Sequence, residues 1–121
     1  MDSHSVSATV DDYRDYIAQS RGEFSVAKNL YAATRSGWFS CRSVCYLAAG
    51  RPCIVQDTGF SGIIPTGRGL FAFDTLEEAV VAFAAVERDY SSHQRGAIET
   101  ARDWFDVPVV LGNLLKAVGV A

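Results

Sequence analysis

The spacing of apolar positions along this chain switches repeatedly between a helical period and short unbroken runs. From Val10, the placement of Tyr13, Tyr16 and Ile17 predicts a helix over residues 10–19, with Gly22 supplying its stop. A strand is expected over residues 23–27. Ser40 is placed to cap a second helix, in which Cys41, Val44, Cys45 and Ala48 recur at i, i+3, i+4 and i+7 before Gly50 and Pro52 end it. Cys53, Ile54 and Val55 follow without alternation, the pattern of a strand covered on both faces.

The second half repeats this alternation with longer helices. Residues 57–69 hold four glycines and one proline, which predicts a loop long enough to hint at function. Leu70–Phe73 offers another strand. Thr75 and Glu78 match a capping box, and Leu76, Ala79, Val80, Phe83, Val86 and Tyr90 line one face of the helix that follows. Two more helices are predicted, one marked by Ala97, Ile98, Ala101, Trp104 and Phe105, the other by Val110, Leu111, Leu114, Leu115 and Val118 with Pro108 in its first turn. Residues 1–9 are rich in serine and lack a period, so a disordered tail is expected before one domain at 10–121. Short strands separated by helices predict an α/β fold, a partial Rossmann-like parallel sheet with flanking helices and right-handed crossovers.

Composition narrows the partners. The chain has 121 residues, enough for one modest core, and its 11 Lys+Arg against 14 Asp+Glu leave a net charge of −3. No basic field exists to collect a nucleic-acid backbone, so any anion must be held locally. No apolar stretch reaches the roughly 20 residues of a membrane span and the first residues do not resemble a secretion signal, so a cytoplasmic location is expected. Three cysteines without a secretion signal imply reduced thiols, and Cys41 with Cys45 lacks the second ligand pair of a zinc site. Neither His4 nor His93 has the neighbours of a nucleophile and base pair.

In open α/β sheets, ligands bind beyond the carboxyl ends of the strands, where helix N-termini present free N–H groups. Two segments qualify. Ser40, Arg42 and Ser43 open the second helix and suit a phosphate, although Ser40 equally reads as a plain cap and Arg42 as a solvated charge. Asp57, Thr58 and Gly59 follow the buried strand, where Asp57 suits a sugar hydroxyl or, alternatively, a simple Asx turn. Arg21, Lys28 and Arg35 are further basic candidates for a diphosphate, or scattered surface charge.

The runs 20–28 (Ser-Arg-Gly-Glu-Phe-Ser-Val-Ala-Lys), 36–43 (Ser-Gly-Trp-Phe-Ser-Cys-Arg-Ser), 46–52 (Tyr-Leu-Ala-Ala-Gly-Arg-Pro) and 56–60 (Gln-Asp-Thr-Gly-Phe) occur in an order that resembles the C-terminal part of bacterial GT-B glycosyltransferases. The nearest subgroup in character is the glycosyltransferase-like proteins related to the spore-maturation CgeB type, and the resemblance spans about residues 10–118. It implies the donor-binding half of an enzyme that transfers a sugar from a UDP- or GDP-type donor, without a metal or other cofactor. The partner is then a missing N-terminal GT-B domain, or a homo-oligomer, and the isolated chain is expected to be inactive. Two glutamates that contact the donor in the wider family are replaced here by Gly37 and Cys45. The resemblance leaves the phosphate end to Ser40, Arg42, Ser43, Asp57, Thr58 and Gly59. A non-catalytic nucleotide-binding or protein-interaction module is the alternative.

Overall fold

The computed structural model describes residues 3–120 and is α/β, with one three-stranded parallel sheet flanked by helices. Strands β1 (Glu23–Ser25), β2 (Cys53–Gln56) and β3 (Leu70–Phe73) lie in the order β1-β2-β3. Glu23 is in register with Cys53, and Cys53 with Leu70. All three are parallel, so each strand ends at the same edge of the sheet. This arrangement is compatible with part of a Rossmann-like sheet.

Helices α1 (Ser3–Ser7), α2 (Val10–Gln19), α3 (Asn29–Ala33), α4 (Cys41–Ala48), α5 (Leu76–Arg88), α6 (Tyr90–Phe105) and α7 (Val107–Ala117) complete the chain. Met1 and Asp2 of the expected tail lie outside the described residues, and Ser3–Ser7 form a five-residue helix with no buried residue. Side chains alternate across the strands and build two apolar layers. Cys53, Val55 and Leu70 face Ile17 of α2, Tyr46 and Leu47 of α4, and Ala97 and Ala101 of α6. Ile54 and Phe73 face Ala79, Ala82 and Val86 of α5.

Several sequence expectations change in detail. Helix α4 buries Ser43, Tyr46 and Leu47, while Cys41 and Cys45, expected on its inner face, are exposed. Tyr46 and Leu47 carry more apolar area than two thiols, so burying them wins. Helix α5 likewise buries Ala79, Ala82 and Val86, leaving Leu76, Val80 and Phe83 about half exposed or more. Tyr90 belongs to α6, because Asp89 ends α5 and its carboxylate accepts the Ser92 N–H to start the next helix. Residues 91–96, expected between helices, are therefore helical, and His93 is buried within α6.

The glycines separate into two kinds. Gly50 (φ +74°) closes α4 in a Schellman turn, with Arg51 N–H donating to Tyr46 O and Gly50 N–H to Leu47 O. Gly22, expected to stop α2, is needed instead for contact, since a Cβ there would lie 2.5 Å from Pro52 O. Ser20 is the residue that closes α2. The glycine-rich segment 57–69 is not an open loop either. It contains a 3-10 turn at Phe60–Gly62 and inserts Phe60 and Ile64 into the core beside Val55.

Candidate functional site

A crevice of about 400 Å³ opens at the carboxyl ends of β1 and β2. The physical origin is the parallel sheet: strands β1 and β2 both end here, while α4 runs back toward the sheet and begins here. The floor is formed by Ser25 and Val55, and one wall by Val26, Ala27 and Lys28 as the chain leaves β1. Gln56 Oε1 accepts the Ala27 N–H at 3.0 Å and holds that wall against β2. The opposite wall carries Tyr31 and Trp38, whose rings stack with centroids 5.0 Å apart. Trp38 remains half exposed.

The segment between α3 and α4 is pinned by residues at the end of β2. Arg35 turns through a left-handed conformation (φ +52°), Gly37 N–H donates to Thr58 O at 2.8 Å, and the Thr58 hydroxyl donates to Trp38 O at 2.6 Å. Phe39 then drops its ring between Phe60 and Phe105, anchoring the start of α4 in the core. Ser40 caps that helix by accepting the Arg42 N–H.

The residue that sequence reasoning missed is Glu23. Its carboxylate is buried at the first turn of α4, where it accepts from Arg42 Nε at 2.5 Å and from the Ser43 hydroxyl. The chain's own carboxylate thus fills the anion-binding corner expected for a phosphate, and both proposed donors are engaged with it. The hydrogen bond to Glu23 outweighs desolvation and holds the Arg42 guanidinium even more firmly charged than usual. The available sequence signal was only a glutamate opening a predicted strand; the register that sets it beside the core-facing Cys53 is visible in the fold.

Asp57 and Gly59 turn away from the crevice and do not line it. The Asp57 carboxylate accepts from Gly59 N–H at 2.8 Å and the Ser61 hydroxyl at 2.5 Å, forming an Asx turn that starts the 3-10 segment. Burial pushes its carboxyl up, yet the hydrogen bonds from Ser61 and Gly59 and the Arg35 charge more than offset this and hold it below the usual aspartate range. Arg35 spans Asp57 and Asp74 at 3.4 Å each. Gly59 (φ +101°) lies close to Arg35, where a Cβ would be 3.2 Å from its carbonyl oxygen.

Arg21 precedes β1, at the opposite end of that strand from the crevice. It forms a two-pronged pair with Glu87, 2.8 and 3.1 Å, and covers the Tyr90 ring. Of the sequence candidates, Lys28, Ser40, Arg42, Ser43 and Thr58 share the crevice, whereas Asp57, Gly59, Arg35 and Arg21 do not line it. Lys28 is exposed at the rim and, among the described residues, engages no carboxylate.

Among the described residues no three His, Cys, Asp or Glu side chains gather as a metal site, and no helix is long and apolar enough to cross a membrane. Burial pushes the Cys53 thiol far up, so it stays protonated and inert. Comparison with known protein families, characterised proteins and solved structures finds no match for this chain.

Proposed function

We propose that the chain is the donor-binding portion of a nucleotide-sugar-dependent glycosyltransferase, completed by a second Rossmann-like half that brings the acceptor. The observation that carries this reading is the crevice at the carboxyl ends of two parallel strands, walled by a stacked Tyr31–Trp38 pair and by the start of α4. Parallel α/β sheets bind ligands at this edge, and a volume of about 400 Å³ is within the range of small-molecule sites. In this reading a base or sugar ring lies against Trp38, and the diphosphate meets Lys28 and the Ser40 hydroxyl. Arg42 and Ser43 act indirectly, since Glu23 occupies them, and they hold α4 in place. The resemblance to GT-B proteins gives this reading its reaction class, and the crevice at the strand ends supports it.

Titration of the chain with uridine and guanosine diphosphates, followed by calorimetry and Trp38 fluorescence, tests this. One of the two should bind, and Lys28→Ala should weaken it by about tenfold or more through loss of a charge-assisted contact. Trp38→Ala should weaken the nucleotide but spare inorganic diphosphate, because stacking involves only the ring. Absence of binding by either nucleotide, or binding indifferent to both substitutions, would refute the assignment. A protein-interaction module is the second reading, favoured by the uncovered apolar face of α7.

A further inference from the structure

Helix α7 is poorly explained by packing within one chain. None of its residues is buried, and only Val109 and Gly112 are partly covered. At about 100° per residue those two positions lie on the side roughly opposite a stripe formed by Val107, Leu111, Leu114 and Val118. The stripe is 50% to 64% exposed, and Val110 and Leu115 widen it at 45% and 42%. The helix has turned its weaker side to the domain and its stronger apolar side to the outside.

The stripe has a further property. Its spacings are four, three and four residues, the d-a-d-a pattern of a heptad seam, and its residue types read Val, Leu, Leu, Val in either direction. A face with that symmetry complements itself when reversed. Two copies related by a two-fold axis passing between Leu111 and Leu114 would set Leu111 against Leu114, Val107 against Val118 and Val110 against Leu115. We infer that α7 pairs antiparallel with α7 of a second copy of this chain, making a homodimer.

Charge supports a second copy. Each chain carries a net charge of −3, so two copies repel unless the surfaces that meet are free of like charges. Within 107–118 the sole charged residue is Lys116, which lies on the covered side with Val109. The two seams therefore meet without opposing charges, and antiparallel helices place opposite dipole ends together. A seam of four residues per copy is short, so the pair falls in the small class of interfaces below about 1,200 Å² in total. The dimer should be reversible and dependent on concentration.

Sedimentation equilibrium of the full chain, from micromolar to millimolar, should reveal monomer passing to dimer. Leu114→Glu and Leu111→Lys should each weaken association by about tenfold or more, with helical circular dichroism unchanged because neither side chain is in the core. An equimolar mixture of the two variants should associate again, since antiparallel pairing brings the introduced carboxylate at position 114 against the introduced ammonium at position 111. Val80→Glu, on the exposed side of α5, should leave the dimer intact. A wild-type chain that stays monomeric throughout, a dimer insensitive to Leu114→Glu, a mixture that stays dissociated, or a dimer broken by Val80→Glu would each overturn the proposal.

Discussion

The Arg42 guanidinium donates its Nε–H to the buried carboxylate of Glu23 at 2.5 Å, joining the first turn of α4 to the first residue of β1. Ser43 donates to the same carboxylate from the core side. Arg42 is half exposed and Glu23 is not, so the two partners respond differently to removal. Arg42→Ala leaves a buried carboxylate with one donor fewer and should destabilise the chain by about 1–3 kcal/mol, toward the lower end because water can reach the site. Glu23→Gln keeps one acceptor oxygen, for Arg42, and turns its amide N–H toward Ser43, whose hydroxyl can accept instead, so it should cost less than Arg42→Ala. Urea denaturation of both variants decides; an Arg42→Ala midpoint equal to that of the wild type would show that the pair contributes nothing.

Gly69 and Gly96 let α6 cross the start of β3 at backbone contact. A Cβ on Gly69 would lie 2.2 Å from Ala97 N, and one on Gly96 would lie 2.8 Å from Arg68 O. Gly69 also needs a positive φ of +78°. Gly69→Ala must move a helix whose Ala97 and Ala101 belong to the core, and it should cost roughly 3 kcal/mol or more. Gly62→Ala, which meets nothing within 4 Å, should stay within about 0.5 kcal/mol of wild type. Thermal melts that fail to separate these two variants would refute the close crossing.

Acid should act through Asp57. Its carboxyl is held below the usual aspartate range in the fold, so the unfolded chain takes up the proton first as pH falls. The stabilisation is complete above the unfolded pKa of about 3.9 and is lost as pH drops through the lower folded value. Asp57→Asn keeps the Gly59 bond but loses the charge toward Arg35 and Ser61, so its deficit against wild type should be largest near pH 6 and shrink below about pH 3. Guanidinium titrations across that range measure it; a deficit independent of pH would show that the Asp57 charge is not the cause.

The order and type of most elements were determined locally. Ser40 caps α4 and Thr75 caps α5 by accepting backbone N–H groups of their own helices, interactions that need no distant residue. The unbroken apolar run Cys53-Ile54-Val55 required cover on both faces, and all three are buried. Gly50 ended α4 because a left-handed residue closes a helix wherever it stands.

The candidate site was only partly legible for the same reason reversed. Sequence placed Ser40, Arg42 and Ser43 at a helix start facing the strand ends, and they line the crevice. It did not reveal that Glu23, twenty positions before Ser43, closes on the same corner, or that Asp57 spends its carboxylate on Gly59 and Ser61. Local hydrogen bonds and apolar periods are properties of neighbours in the chain, so the sequence by itself determined helices α2, α4, α5 and α7, the Ser40 and Thr75 caps and the buried central strand, whereas the short helices α1 and α3 carry no apolar period to announce them. Which side of α4 faces inward, which charges are already matched and which side of α7 is left outside depend on contacts between distant segments, and only the tertiary structure decided them, because burial is allotted to whichever surfaces the assembled layers bring together.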